Sequence, residues 1–86
     1  MNVSYDTEAD ALYVTLRAGL PVARSVVLDD QRVIDLDGSG QLVGLEVLGV
    51  TNGFRLEDII REYGLDSFRR QLEEIAARRL PTREIA

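Results

Sequence analysis

Side-chain oxygens are where any chemistry of this chain would have to begin, and they gather in two places. The string Asp35-Leu36-Asp37-Gly38-Ser39-Gly40-Gln41-Leu42-Val43-Gly44-Leu45-Glu46 meets the spacing of an EF-hand calcium loop. Oxygen ligands fall at loop positions 1, 3 and 5, glycine at 6, an apolar residue at 8 and glutamate at 12. Such a loop needs a helix on each side. Here strand-period residues flank the string and even enter it, so it reads as a β-hairpin turn with incidental carboxylates. A weak divalent-cation site of another kind on the Asp35–Glu46 loop is the alternative. The second gathering, Asp6, Glu8 and Asp10 in YDTEADALYV, could pair carboxylates for acid/base work or bind a hard cation. No nucleophile or second ligand cluster stands nearby in the sequence. Turn formation is the plainer role, because Asp side chains bond to following backbone N–H groups, with Asp6 and Asp10 the best placed.

All ten basic residues are arginine, and histidine, lysine and cysteine are absent. Their absence removes imidazole bases and ligands, Schiff-base and phosphate-loop lysines, thiol nucleophiles, disulfides and thiolate metal sites. No catalytic, cofactor-binding or metal-ligating residue is assigned, and the chain is expected not to be an enzyme.

The elements that would position these side chains follow from hydrophobic period. From Asn2 to Leu48 the apolar residues repeat every second position, as in half-buried strands. Val3 and Tyr5 share a face of a short first strand. Strands are expected over Ala11–Arg17, Val22–Leu28, Arg32–Asp37 and Gln41–Leu48, with turns at Asp6–Asp10, Gly19–Pro21, Asp29–Gln31 and Asp37–Gly40. On the fifth strand Val43, Leu45 and Val47 fall on one face, Leu42, Glu46 and Leu48 on the other. Connections this short cannot make parallel crossovers, so an antiparallel meander with mostly sequential neighbours is expected. Beyond Gly53 the period changes. Leu56, Ile59, Ile60 and Tyr63 form a helical stripe that Gly64 can end in the left-handed conformation. Asp66 or Ser67 can cap a second helix carrying Phe68, Leu72, Ile75 and Ala76, with Arg78 and Arg79 at the negative end of its dipole and Pro81 stopping it. The fold class is therefore α+β: a five-stranded antiparallel β-meander followed by two C-terminal helices that pack on the sheet or on a partner. One domain is expected over residues 1–80, sheet to 48 and helix pair over 54–80, with 81–86 a frayed tail.

The helix pair LEDIIREYGLDSFRRQLEEIA invites a DNA-binding reading, with Gly64 in the turn and Arg69, Arg70 and Gln71 free for contacts. Its register opposes that. The packing positions about six and nine residues after the turn glycine are the charged Arg70 and Glu73, whereas the apolar stripe runs through Phe68, Leu72 and Ile75. A net charge of −5 also disfavours phosphate backbones and anionic lipid. Residues 1–50 hold eight acids and three arginines, and residues 51–86 seven of each, so the sheet half carries all of the net charge. No apolar stretch nears the roughly 20 residues of a membrane helix, and no secretory leader is evident, which makes a cytoplasmic location the expectation. A core this small is marginal, since only about 60% of the unfolded surface is buried at such a length, so a homodimer or a protein partner is expected.

Two segments, YDTEADALYVTL and VIDLDGSGQLVGLEVL, carry a likeness. Through them the region Val3–Leu48 resembles a family of small bacterial proteins known as domain of unknown function 2283. The resemblance implies a compact β-rich domain without established activity. It further implies an antitoxin role, because members are similar to proteins encoded beside toxin-like partners. The helices from Leu56 onward lie outside it. The reading that results is a non-catalytic protein–protein interaction module, antitoxin-like by resemblance. A DNA-binding regulator working through the helix pair is the alternative from another class.

Overall fold

A computed structural model describes residues 1–78. Pro81, the tail at 81–86 and Arg79 lie outside the described residues, as does the side chain of Arg78. Five strands form one antiparallel sheet: β1 (Asn2–Asp6), β2 (Ala11–Thr15), β3 (Arg24–Val27), β4 (Arg32–Leu36) and β5 (Leu42–Leu48). Two helices follow, α1 (Glu57–Glu62) and α2 (Arg69–Arg78), preceded by single 3-10 turns at Val50–Asn52 and Asp66–Phe68. The α+β class is as the hydrophobic periods required.

Strand order across the sheet is β1-β2-β5-β4-β3. Three of its four pairings join strands adjacent in sequence, and the fourth sets β2 beside β5, so the meander is interrupted once. The β2–β3 link therefore spans the sheet to its far edge, and β3 starts at Arg24, two residues later than the apolar pattern suggested. Close to this crossover β2 also stops short. Leu16 and Arg17 both donate backbone N–H to the Val43 carbonyl, at 2.8 and 3.1 Å, where two residues oppose one as in a β-bulge.

A second irregularity lies between β4 and β5 at Asp35 and Leu36, and it corrects one sequence expectation. Leu42 pairs with Leu36 and joins the core with Leu45 and Val47, instead of facing away from them; Val43 is buried but stands outside that cluster. One inserted residue reverses the side-chain alternation, which a strict two-residue period cannot foresee.

Leu12, Val14, Ile34, Leu36, Leu42, Leu45 and Val47 make one apolar face of the sheet, and the helices cover it with Leu56, Ile59, Ile60, Leu65, Leu72 and Ile75. Phe54, Tyr63, Phe68 and Ala76 pack at its margin. Each fully buried aliphatic side chain contributes about 1.5–3 kcal/mol, against about 0–1 kcal/mol for an exposed ion pair such as Arg61–Glu57. Apolar packing is then the larger part of what holds the helices down. The helices thus cover the sheet of their own chain.

Turn chemistry is concentrated in aspartate. Asp6 accepts from the backbone N–H of Glu8 and Ala9, Asp29 from Gln31 and Arg32, and Asp37 from Ser39 and Gln41, each closing the turn it begins. Gly64 ends α1 with φ +63, as expected. The expected cap at Asp66 or Ser67 is not the one found: Leu65 begins the 3-10 turn with no side-chain cap bond, and Asp66 pairs with the Arg69 guanidinium at 3.1 Å. The nearby cation draws that carboxylate away from the backbone.

Candidate functional site

Helices cover one face of the sheet, so attention falls on the other. Directly paired residues of neighbouring strands share a face, and three rows can be read across this one. The first is Asn2, Thr15, Gly44, Asp35, Ser25. The second is Ser4, Tyr13, Glu46, Val33, Val27, and the third Asp6, Ala11, Leu48. At the centre sits Gly44, and Tyr13 explains why that residue is glycine. A Cβ there would collide with the Tyr13 hydroxyl and lie 2.8 Å from the ring carbon bearing it and 2.9 Å from the Val14 carbonyl. The tip of the ring thus passes over bare backbone to reach β4. There its hydroxyl donates to Asp35 at 2.6 Å, and Ser25 from β3 donates to the other carboxylate oxygen at 2.5 Å.

Burial, together with the donated bond to Asp35 and the negative charges of Asp35 and Glu46, pushes the Tyr13 hydroxyl up to about 12. The tyrosine stays protonated through the neutral range, so it serves as a hydrogen-bond donor and an aromatic surface and not as a base. Apolar side chains flank this polar centre: Val27 is 71% exposed and Leu48 38%.

Two further polar networks belong to the scaffold. Arg32, only 9% exposed, lies at the helix side of β4. Its guanidinium donates to Asp29 at 3.1 and 2.9 Å, to both oxygens of Asp58 at 2.6 and 2.9 Å, and to the Arg55 carbonyl at 2.8 Å. The bonds to Asp58 and Asp29 raise its affinity for its proton, and in return the guanidinium lowers both carboxylates. One side chain so ties the β3–β4 turn to α1. Gln31 adds to the tie by donating to the Gly53 carbonyl at 2.7 Å.

Asp10, the other turn residue singled out in the sequence, acts over a longer distance than a local turn bond. At φ 52 it holds the left-handed conformation, accepts from the Tyr5 hydroxyl at 2.5 Å and takes both the N–H and hydroxyl of Thr51, at 3.1 and 2.8 Å. Its bond from Tyr5 lowers the carboxyl, while the tyrosine is pushed up to about 12, chiefly through that same bond.

The residues of the calcium-loop spacing are separated by function. Asp37 closes its own turn, with the Ser39 hydroxyl donating to it at 2.8 Å. Asp35 receives Tyr13 and Ser25, and Glu46 stands one row away on the same face. Among the described residues no group of three or more acidic side chains is spaced to hold a metal ion. On the helices, Arg69 donates to Glu57 at 2.6 Å, to Glu73 at 3.2 Å and to Asp66 at 3.1 Å. The Arg69 guanidinium is thus shared by three carboxylates, while Arg70 and Gln71 are exposed.

Sequence reasoning placed Asp35 and Glu46 in a loop context and had no means of joining Tyr13 to Asp35, which lie 22 residues apart. Nothing local marks the contact: Tyr13 stands opposite Glu46 and diagonal to Gly44, a relation that only the β2–β5 register reveals. No described helix is long and apolar enough to cross a membrane.

Residues 2–50 match the family model described as protein of unknown function (DUF2283), a span that takes in the whole sheet and stops before α1. No curated protein and no solved structure matches the chain significantly. The chain belongs to that family, and its two helices lie outside the matched region.

Proposed function

We propose that this member of the DUF2283 family is a non-catalytic protein–protein interaction module whose docking surface is the helix-free face of its sheet. One observation carries the reading. The chain's own helices cover one face, and the opposite face is left with exposed Val27 and Leu48 and half-buried Tyr13 beside Asp35 and Glu46. Aromatic and aliphatic side chains around a fixed polar centre are what a recognition surface requires. Six of the eight aspartates are engaged as well: Asp6, Asp29 and Asp37 close turns, Asp10 and Asp58 join elements, and Asp35 fixes Tyr13.

An antitoxin, which neutralises a toxin-like neighbour by binding it, is one form such a module takes. Affinity capture from the source organism tests the reading, with the wild-type chain compared against a Val27→Arg/Leu48→Arg variant and an Arg70→Glu control on α2. The expected outcome is one or more proteins retained by wild type and by the control and lost from the face variant. Equal retention by all three, or no retained protein, would overturn it.

A further inference from the structure

Resting on the reading of the helix-free face as a docking surface, we propose that its partner there is a basic protein segment, rich in arginine or lysine with apolar side chains between. The charge of the face carries this. Its three rows contain Asp6, Asp35 and Glu46 and no arginine. The arginines of the strands lie on the other side: Arg24 pairs with the core residue Leu36, and Arg32 binds Asp58 of α1. Arg17, just beyond β2, bonds to the Leu42 carbonyl and sits 5.6 Å over the Phe68 ring. Folding therefore sorts the charges, and among the described residues the face left open is negative and its rows carry no arginine.

A second copy laid face to face would bring these three acids against the same three, a like-charge contact that disfavours this pairing. Nucleic acid and anionic lipid are repelled for the same reason. A basic segment meets complementary charge. It also meets Tyr13, held down over Gly44 and half-buried, beside Asp35 and Glu46. An aromatic ring beside carboxylates suits a guanidinium or ammonium group through cation–π and ionic contact together. Val27, Val33 and Leu48 provide the apolar margin for the residues between.

The test uses the full-length, isotope-labelled chain in NMR titrations with three probes. These are a decapeptide alternating arginine and valine, one alternating glutamate and valine, and the protein's own increasing concentration. With the arginine peptide, amide shifts should centre on Tyr13, Val33, Gly44 and Glu46, and affinity should fall about tenfold between about 50 and about 300 mM salt. Glu46→Gln should weaken binding about three- to tenfold, and Glu62→Gln on α1 or Glu74→Gln on α2 should leave it unchanged. Shifts centred on the helices, or binding indifferent to Glu46→Gln, overturn the basic partner. If the glutamate peptide or self-association perturbs the face and the arginine peptide does not, the basic partner falls and the docking surface stands. A face that answers no probe removes both.

Discussion

Arg32 shows how much a single side chain can be asked to hold. Its guanidinium is nearly buried and satisfies Asp29, Asp58 and the Arg55 carbonyl at once. Replacing it with methionine keeps the bulk of the stem but strands two carboxylates and a carbonyl, and a loss of about 2 kcal/mol in stability is expected from denaturant unfolding. Both acids are about half exposed, so water takes up part of the loss. Gly44→Ala tests the opposite kind of constraint. The added methyl meets the Tyr13 ring and the Val14 carbonyl, and about 2 kcal/mol should be lost. Shortening the tyrosine as well, in Tyr13→Ala/Gly44→Ala, should restore only part of that, because the carbonyl is backbone and cannot swing away. Neither residue's role was visible in the sequence. A lone arginine in a strand looks like a solvated charge until its partner 26 residues away is folded against it. The aspartate turns, by contrast, were legible because their bonds close within two to four residues of the same side chain.

At the scale of elements, the contact between sheet and helices should depend on acid. The folded carboxyls of Asp29 and Asp58 are both lowered by Arg32. Groups whose folded pKa is depressed contribute stability that is fully present above the unfolded value, ordinarily near 3.8, and that is lost as pH falls through the folded one. Stability should therefore be flat through neutral pH and decline only below the ordinary aspartate range. In the Arg32→Met variant that acid-side slope should be shallower, as followed by urea midpoints at successive pH values. A slope unchanged by the substitution would place the titrating groups elsewhere. The elements themselves were largely legible: five strands and two helices follow from periods of two and about 3.6. What escaped was any feature that breaks a period. Leu42 changes face at a bulge, β2 gives way at the paired N–H groups of Leu16 and Arg17, and Asp66 abandons its helix for a nearby cation.

For the molecule as a whole, the family region and the folding unit have different limits. The matched residues end at 50, yet among the described residues six of the buried core side chains come from Leu56 onward. A chain stopped after Gly53 would expose Leu12, Val14, Ile34, Leu45 and Val47 together. It should either fail to fold or associate through that face, giving broadened amide spectra or a larger sedimentation coefficient than the full-length chain. A folded monomer with dispersed resonances would show the helices to be dispensable. The charge asymmetry between the halves was plain in the sequence, but its division between the two sides of one sheet was not. That division depends on which residues pair across strands, and the pairing of β2 with β5 joins segments some thirty residues apart.

That same pairing bears on how the chain comes off the ribosome. Its central strand is the last of the five to be made, and until residue 48 has emerged the nascent chain can form only two separate hairpins, β1 with β2 and β3 with β4. Neither hairpin has a neighbour to close its inner edge, and isolated hairpins are marginal in water. Synthesis of β5 is therefore the event that turns two halves into one sheet, with the covering helices following directly behind it. The interval before that moment is when the growing polypeptide has most need of protection from its neighbours.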